Sequence, residues 1–134
     1  MDKNYIEESN ELLPQFAKRE GLLPVAVQET QSGRILMLAS VNEEALNKTF
    51  ETGLATFWST SRNQLWTKGE TSGDYLKIDE ILIDCDQDAL IYKVTLAGSG
   101  VCHTFNENGK HRLACFYRSI NLQNRELTFV EGEK

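Results

Sequence analysis

The sequence predicts an α+β fold, a small single domain in which a mostly antiparallel, curled sheet packs around one main helix. Three observations point there. Short runs with a two-residue hydrophobic period recur along the chain, one stretch at Asn42–Thr52 carries a helical period with a cap at each end, and no internal repeat, linker or charge block divides the 134 residues. A chain of this length suits one domain over residues 1–134, with 1–20 as an N-terminal extension and 121–134 as a C-terminal tail and strand.

The elements follow in order. Ile6, Leu12, Leu13 and Phe16 lie near helical spacing within Asn4–Glu20, but Pro14 interrupts them, so this stretch predicts one or two short helical turns. Leu22–Gln28 is β-rich, with Pro24 marking a strand start or sheet edge. Gln31–Arg34 reads as a turn and Ile35–Ala39 as the returning strand. The main helix has Asn42 as its cap, Glu43 and Glu44 at its positive end, and Gly53 to close it. Val41 and Leu46 are placed as a hydrophobic staple, and Leu46 and Phe50 as the buried stripe. Leu54–Ser59, Leu76–Ile83 and Ala89–Leu96 predict strands. In the last, Leu90, Tyr92, Val94 and Leu96 share one face, and Lys93 and Thr95 the other. Cys115–Leu122 and Glu126–Val130 close the chain as strands. Thr60–Asp74 and Ala97–Ala114 remain as long irregular pieces, a length that in compact domains accompanies function or mobility.

Composition narrows the classes of activity. Twenty acidic residues against fourteen basic ones give a net charge of −6, a poor surface for releasing counterions from a nucleic acid. No apolar run approaches a membrane span. Asp2, Glu7, Glu8 and Glu11 make the start unlike a secretory signal, so the expected compartment is the cytoplasm. Three cysteines, an odd count in such a chain, do not form a disulfide framework.

Three stretches carry chemistry. In Asp84-Cys85-Asp86-Gln87-Asp88, carboxylates alternate around one thiol. The run reads either as a solvated acidic turn or as ligands. If it is extended, the three aspartates share one side and Cys85 faces the other, so oxygen donors suited to magnesium and a sulfur suited to zinc sit back to back. A calcium loop is excluded, because Ala89 stands where glycine is needed and Thr95 where a bidentate glutamate is needed. The second stretch is Cys102-His103 with Cys115 beyond it. Without a Cys-x-x-Cys pair these are no zinc finger, yet three distant cysteines that converge leave a fourth zinc position for water. Buried apolar thiols are the other reading. His103 suits proton transfer, with an ordinary pKa of roughly 6.5, or is a plain loop histidine. The third is Ser59-Thr60-Ser61-Arg62 with Trp66-Thr67-Lys68-Gly69-Glu70-Thr71-Ser72-Gly73, dense in hydroxyls, glycine and positive charge. It suits a phosphate-holding loop or a polar surface loop, and is not a P-loop.

Together with Leu36-Met37-Leu38-Ala39, Asn42–Leu46, Glu51-Thr52-Gly53, Asp84–Leu90, Cys102-His103-Thr104 and Cys115-Phe116-Tyr117-Arg118, the ordered set resembles the phosphoribosyl-AMP cyclohydrolase family over roughly Gly21–Ile120. The resemblance implies an enzyme of histidine biosynthesis that hydrolyses the N1–C6 bond in the adenine ring of N1-(5-phosphoribosyl)-AMP. It implies the monofunctional form, since a chain ending at Lys134 has no room for the pyrophosphohydrolase domain that many related chains carry. It further implies zinc on Cys85, Cys102 and Cys115, drawn from the two subunits of a homodimer, and magnesium on Asp84, Asp86 and Asp88. His103 matches the proton-transfer histidine. Ser59, Ser61, Arg62, Trp66, Lys68, Gly69, Glu70, Thr71, Ser72 and Arg118 match the substrate side. Arg62 and Lys68 lead the candidates for phosphate, ahead of Lys110, Arg112 and Arg118. The chain departs from the family pattern at Thr60, where arginine is usual, and at Phe105, where glycine is usual, followed by an inserted Asn106–Ala114. A paralogous cyclohydrolase acting on another N-substituted purine-type ring, and a non-catalytic zinc-stabilised interaction module, are the rival readings.

Overall fold

The computed structural model describes residues 2–134. In chain order it contains α1 (Lys3–Glu8), a 3-10 turn (Phe16–Arg19), β1 (Leu23–Glu29), β2 (Ile35–Val41), α2 (Glu43–Thr52), β3 (Thr56–Ser59), β4 (Gln64–Thr67), β5 (Leu76–Ile83), β6 (Leu90–Leu96), β7 (Arg118–Ile120) and β8 (Leu127–Phe129). Four strands form a sheet in the order β2-β1-β6-β5, and β3–β4 and β7–β8 are separate hairpins. Every pairing is antiparallel except β1 with β6, which run parallel.

The two faces of the sheet differ. Inward, Leu23, Val25, Val27, Tyr92 and Val94 are fully buried, under Ala45, Leu46 and Thr49 of α2 and Phe57 of β3. The Phe57 ring lies between Trp66 at 5.0 Å and Tyr92 at 5.9 Å, joining the β3–β4 hairpin to the sheet. Burying side chains of this size contributes roughly 1.5–3 kcal/mol each. Outward, Leu38, Ala26, Ile91 and Leu82 stand in register across all four strands. With Pro24 they line an apolar groove of about 480 Å³.

Helix α2 begins and ends as its sequence predicts. The Asn42 side chain accepts from the Ala45 N–H at 2.8 Å, and Gly53 takes the left-handed conformation at φ 73°. Val41 and Leu46 are both buried, as a staple requires. Phe50 corrects the predicted stripe, since it is 49% exposed. Thr49 takes the inner position instead: its hydroxyl donates to Ala45 O at 3.0 Å and accepts from Thr56 N–H at 3.1 Å, drawing the last turn onto β3. Phe50 is left at a groove it shares with Leu12, Pro14 and Phe16.

Other differences have local causes. The predicted irregular piece Thr60–Asp74 contains β4, which returns on β3 through a turn with Asn63 at φ 54°. A four-residue strand with Leu65 and Trp66 side by side shows no two-residue period to detect. Leu54 lies outside β3 and pairs alone with Lys77. The predicted Cys115–Leu122 strand shrinks to Arg118–Ile120, because its partner β8 offers only Leu127–Phe129. Cys115 precedes it in irregular backbone.

Candidate functional site

The second cysteine stretch folds back on itself. Val101 N–H donates to Leu113 O, Cys102 N–H to Arg112 O and Arg112 N–H to Thr104 O, each at 3.1 Å. Gly100 permits this approach: a Cβ there would run into the Arg112 carbonyl. Farther out, Phe105 pairs with His111 and stacks on its ring at 4.4 Å. The Asn106 side chain closes the tip by accepting from the N–H groups of Asn108 and Lys110 at 2.9 and 3.0 Å. The insertion is therefore a small hairpin, looped outward at little entropic cost, whose stem returns the chain to Cys115. Cys115 N–H donates to Leu36 O of β2 at 2.7 Å.

Cys102 and Cys115 thereby become neighbours. Cys102 is buried, and its sulfur lies 2.9 Å from the Thr104 hydroxyl. Partial burial pushes the Cys115 thiol pKa up, the adjacent Cys102 adds to the rise, and the Lys68 ammonium opposes it. Lys68 brings the third stretch to the same place. Its N–H donates to Ala55 O at 3.1 Å, beside the β3–β4 hairpin. Ser59, Ser61, Arg62, Trp66, Thr67, Lys68, Gly69, Glu70, Thr71 and Ser72 line one pocket of about 430 Å³. Ser59 Oγ accepts from Arg62 N–H at 3.2 Å, and Gly73 N–H donates to Gly69 O at 2.6 Å. Gly69 sits at φ +89° and a Cβ would strike the Asp74 backbone, so only glycine fits this bend.

The acidic stretch is a turn rather than an extended segment, with Gln87 at φ 57°. The turn still gathers the carboxylates: Asp84, Asp86 and Asp88 each offer an oxygen within 4.8 Å of the others. Asp84 Oδ1 accepts from the N–H groups of Asp88 and Ala89 at 2.9 and 3.1 Å. Lys18 Nζ lies 2.8 Å from both Asp86 and Asp88, and Arg19 lies 3.0 Å from Asp88. Lys18 in particular holds the Asp88 carboxyl well below the usual carboxylate range, while desolvation raises Asp84. Gln87 fastens the N-terminal segment over this turn, accepting from Leu13 N–H at 2.7 Å and donating to Ile6 O at 3.0 Å.

A pH prediction follows from Asp88. A carboxyl depressed in the folded state contributes stability above its unfolded pKa, lost as pH falls through the folded value. The contribution should therefore be full above the ordinary carboxylate pKa, near pH ~4, and fade as pH falls from there toward the depressed folded value. Lys18→Met removes the main cause of the depression, so acid unfolding followed by far-UV circular dichroism should begin at higher pH than in the wild type. Coincident acid transitions would refute the role of Lys18.

The structure thus joins two of the three predicted groups: the thiols Cys102 and Cys115 adjoin the hydroxyl-rich loop through Lys68. His103 is exposed immediately after Cys102. Cys85 is exposed in the acidic turn and does not meet the other two sulfurs within one chain; among the described residues the aspartate trio is the only such cluster of three potential metal ligands. Arg118 lies over the Tyr117 ring at 5.1 Å, and Arg112 lies over the same ring at 4.3 Å. Lys110 is exposed near the hairpin tip. Sequence reasoning missed Lys18, Arg19 and Glu133, whose partners lie far away in the chain, and treated Gln87 as a spacer inside its motif. Only for Gln87 was there a signal, its position between two aspartates.

A small domain with adjoining thiols, a gathered carboxylate trio and a cation-bearing polar pocket has the equipment of a small-molecule enzyme. The profile of the phosphoribosyl-AMP cyclohydrolase family matches residues 37–117, which include all three groups. The chain is 45% identical to the phosphoribosyl-AMP cyclohydrolase of Brucella anthropi over 133 residues, covering 98% of this chain and 89% of the relative. It is 50% identical to the enzyme of that name from Solibacter usitatus over 106 residues, 79% of each chain, and 50% identical to that of Hyphomonas neptunium over 114 residues, 85% and 81% of the two. The chain belongs to the phosphoribosyl-AMP cyclohydrolase family, a family of hydrolases. No helix among the described residues is long and apolar enough to cross a membrane.

Proposed function

We propose that the protein opens the adenine ring of N1-(5-phosphoribosyl)-AMP by hydrolysis of the N1–C6 bond, a step of histidine biosynthesis, in the cytoplasm. The observation that carries this reading is the juxtaposition of Cys102 and Cys115 with the Lys68 side of the polar pocket. The donor chemistry fits two metals. Adjoining thiols suit zinc, and a trio of carboxylates suits magnesium. Cys102 and Cys115 would hold zinc together with Cys85 from a second copy, since one chain does not bring the third sulfur to them. The apolar row across the outer sheet face, beside the acidic turn, is a surface such a homodimer can bury. Held by Cys85, Cys102 and Cys115, the metal would supply Lewis-acid activation of water near neutral pH.

The chain's own residues do the rest. Arg62 and Lys68 face a doubly phosphorylated substrate that a net-acidic protein would otherwise repel, and the guanidinium can grip a phosphate with two parallel bonds. Asp84, Asp86 and Asp88 would hold magnesium and so meet phosphate with reversed local charge. Trp66 lines the same pocket. His103, exposed beside Cys102, would take the proton from the attacking oxygen and return it to N1 as that atom departs. Purified protein incubated with N1-(5-phosphoribosyl)-AMP should show the absorbance change of ring opening, and should lose that activity on chelation and regain it with zinc. Stable substrate in the presence of zinc and magnesium would refute the proposal.

A further inference from the structure

The C-terminal tail ends on the segment that carries Cys115. Glu133 is only 5% exposed. Its carboxylate accepts from Leu113 N–H at 3.1 Å with one oxygen and from Ala114 N–H at 3.2 Å with the other. Its carbonyl accepts from Arg112 Nε at 2.6 Å. Arg34 completes the frame, 3.8 Å from the Glu133 carboxylate and donating to Phe116 O at 3.2 Å. Residues on both sides of Cys115 are therefore fixed by one charged pair, while Cys115 N–H is held by β2. Arg112 extends the effect, because its own carbonyl receives Cys102 N–H.

A buried carboxylate is costly unless hydrogen bonds and an opposite charge compensate it, and here all of its compensation comes from groups around Cys115. The carboxylate and carbonyl of Glu133 are bound by the backbone N–H groups of Leu113 and Ala114 and by the side chains of Arg112 and Arg34, the groups that frame Cys115. We infer that Glu133 is a positioning residue that sets the Cys115 thiol against Cys102, with the C-terminal tail acting as a strap over the inserted hairpin. It touches no substrate and acts through the backbone of Leu113 and Ala114. The inference rests on the proposed zinc centre for its consequence, and on the thiol pair alone for its geometry.

The test uses the full chain and two variants. Glu133→Ala removes both acceptors. Glu133→Gln keeps one oxygen but turns an N–H₂ donor toward an N–H, so it loses one bond at nearly constant shape. In a metal-stripped Cys85→Ser background, phenylarsine oxide condenses with two neighbouring thiols, forming two arsenic–sulfur bonds and releasing water. It reads the Cys102–Cys115 pair without any metal. Capture should weaken several-fold in Glu133→Gln and more in Glu133→Ala, while far-UV circular dichroism and the thermal midpoint of Glu133→Gln stay near those of the parent. With Cys85 restored, zinc affinity measured by chelator competition should drop about 10–100-fold, the range for groups that orient metal ligands. Unchanged arsenical capture in folded Glu133→Gln overturns the inference. So does loss of the fold in both variants, because Glu133 would then serve the whole domain rather than the thiols. If wild type and Cys115→Ser bind zinc alike, the zinc centre falls, and arsenical capture still decides the role of Glu133.

Discussion

Cys115→Ser is expected to purify as a folded protein with its zinc lost and its ring-opening rate down by three orders of magnitude or more. The magnitude follows from what the metal supplies. Polarising an oxygen or making hydroxide available near neutrality is worth several kcal/mol, and about 4 kcal/mol corresponds to roughly 10³ in rate. The fold should survive, because Cys115 is exposed and its structural tie is the N–H to Leu36 O, which serine keeps. A hydroxyl is a poor soft ligand, so substitution at this one sulfur leaves too few donors to hold the ion. The environment adds a pH signature. Although the residue as a whole is exposed, partial desolvation of its sulfur raises the metal-free Cys115 pKa, and Cys102 adds to the rise. Zinc must therefore displace a firmly held proton, and zinc affinity should increase with pH through the neutral range. Metal content by atomic absorption and turnover by absorbance decide the matter together. Full metal and full rate in Cys115→Ser would remove this sulfur from the centre.

The same variant tests the proposed homodimer. Since one chain does not place Cys85 with Cys102 and Cys115, mixing Cys85→Ser with Cys115→Ser chains creates a complementation test. A mixed dimer that shares sulfurs across its interface contains one site with three wild-type ligands and one with two serines, and should recover part of the activity that each variant lacks alone. A site built within one chain would recover none.

How far these features were legible beforehand depended on how local each signal was. The α2 caps were readable because Asn42, Ala45 and Gly53 act within one helix. The alternation at Leu90, Tyr92 and Val94 was readable because a half-buried strand imposes its period on the sequence. The parallel pairing of β1 with β6 was not, since a strand's own residues do not say which neighbour it will meet. Phe50 misled because helical spacing brought it toward the buried stripe, whereas the Thr49 hydroxyl docked on β3 and set the tilt of the last turn. At the site, the motif residues were named from ordered resemblance, and the structure then gathered Ser59, Arg62, Lys68 and their neighbours around one pocket. Lys18 and Glu133 were invisible for a common reason. Each meets its partner across a long stretch of chain, and nothing in a lone lysine or a terminal glutamate announces a carboxylate pair or a pair of backbone N–H groups.

His103→Ala should retain wild-type zinc and lower turnover by about 10²–10⁴, the usual contribution of a positioned general acid–base. His103 is exposed, so the substitution removes no core contact and the fold gives no reason for the rate to change. His111, the chain's other histidine, is a poor substitute. Its Nδ1 is 2.8 Å from the Cys102 carbonyl, and its ring is stacked on Phe105. A backbone carbonyl only accepts, so Nδ1 carries the proton and donates there, and the ring belongs to the hairpin stem. The two histidines therefore predict opposite variants. His111→Ala should loosen the stem and weaken zinc binding with a smaller effect on the rate of the zinc-loaded protein, whereas His103→Ala should leave zinc intact and lose the chemistry. The pH profile sharpens the contrast. If His103 carries the proton, the limb of kcat/KM that it governs should vanish in His103→Ala and persist in His111→Ala. A zinc-loaded His103→Ala protein turning over at the wild-type rate would assign the proton transfer to another group.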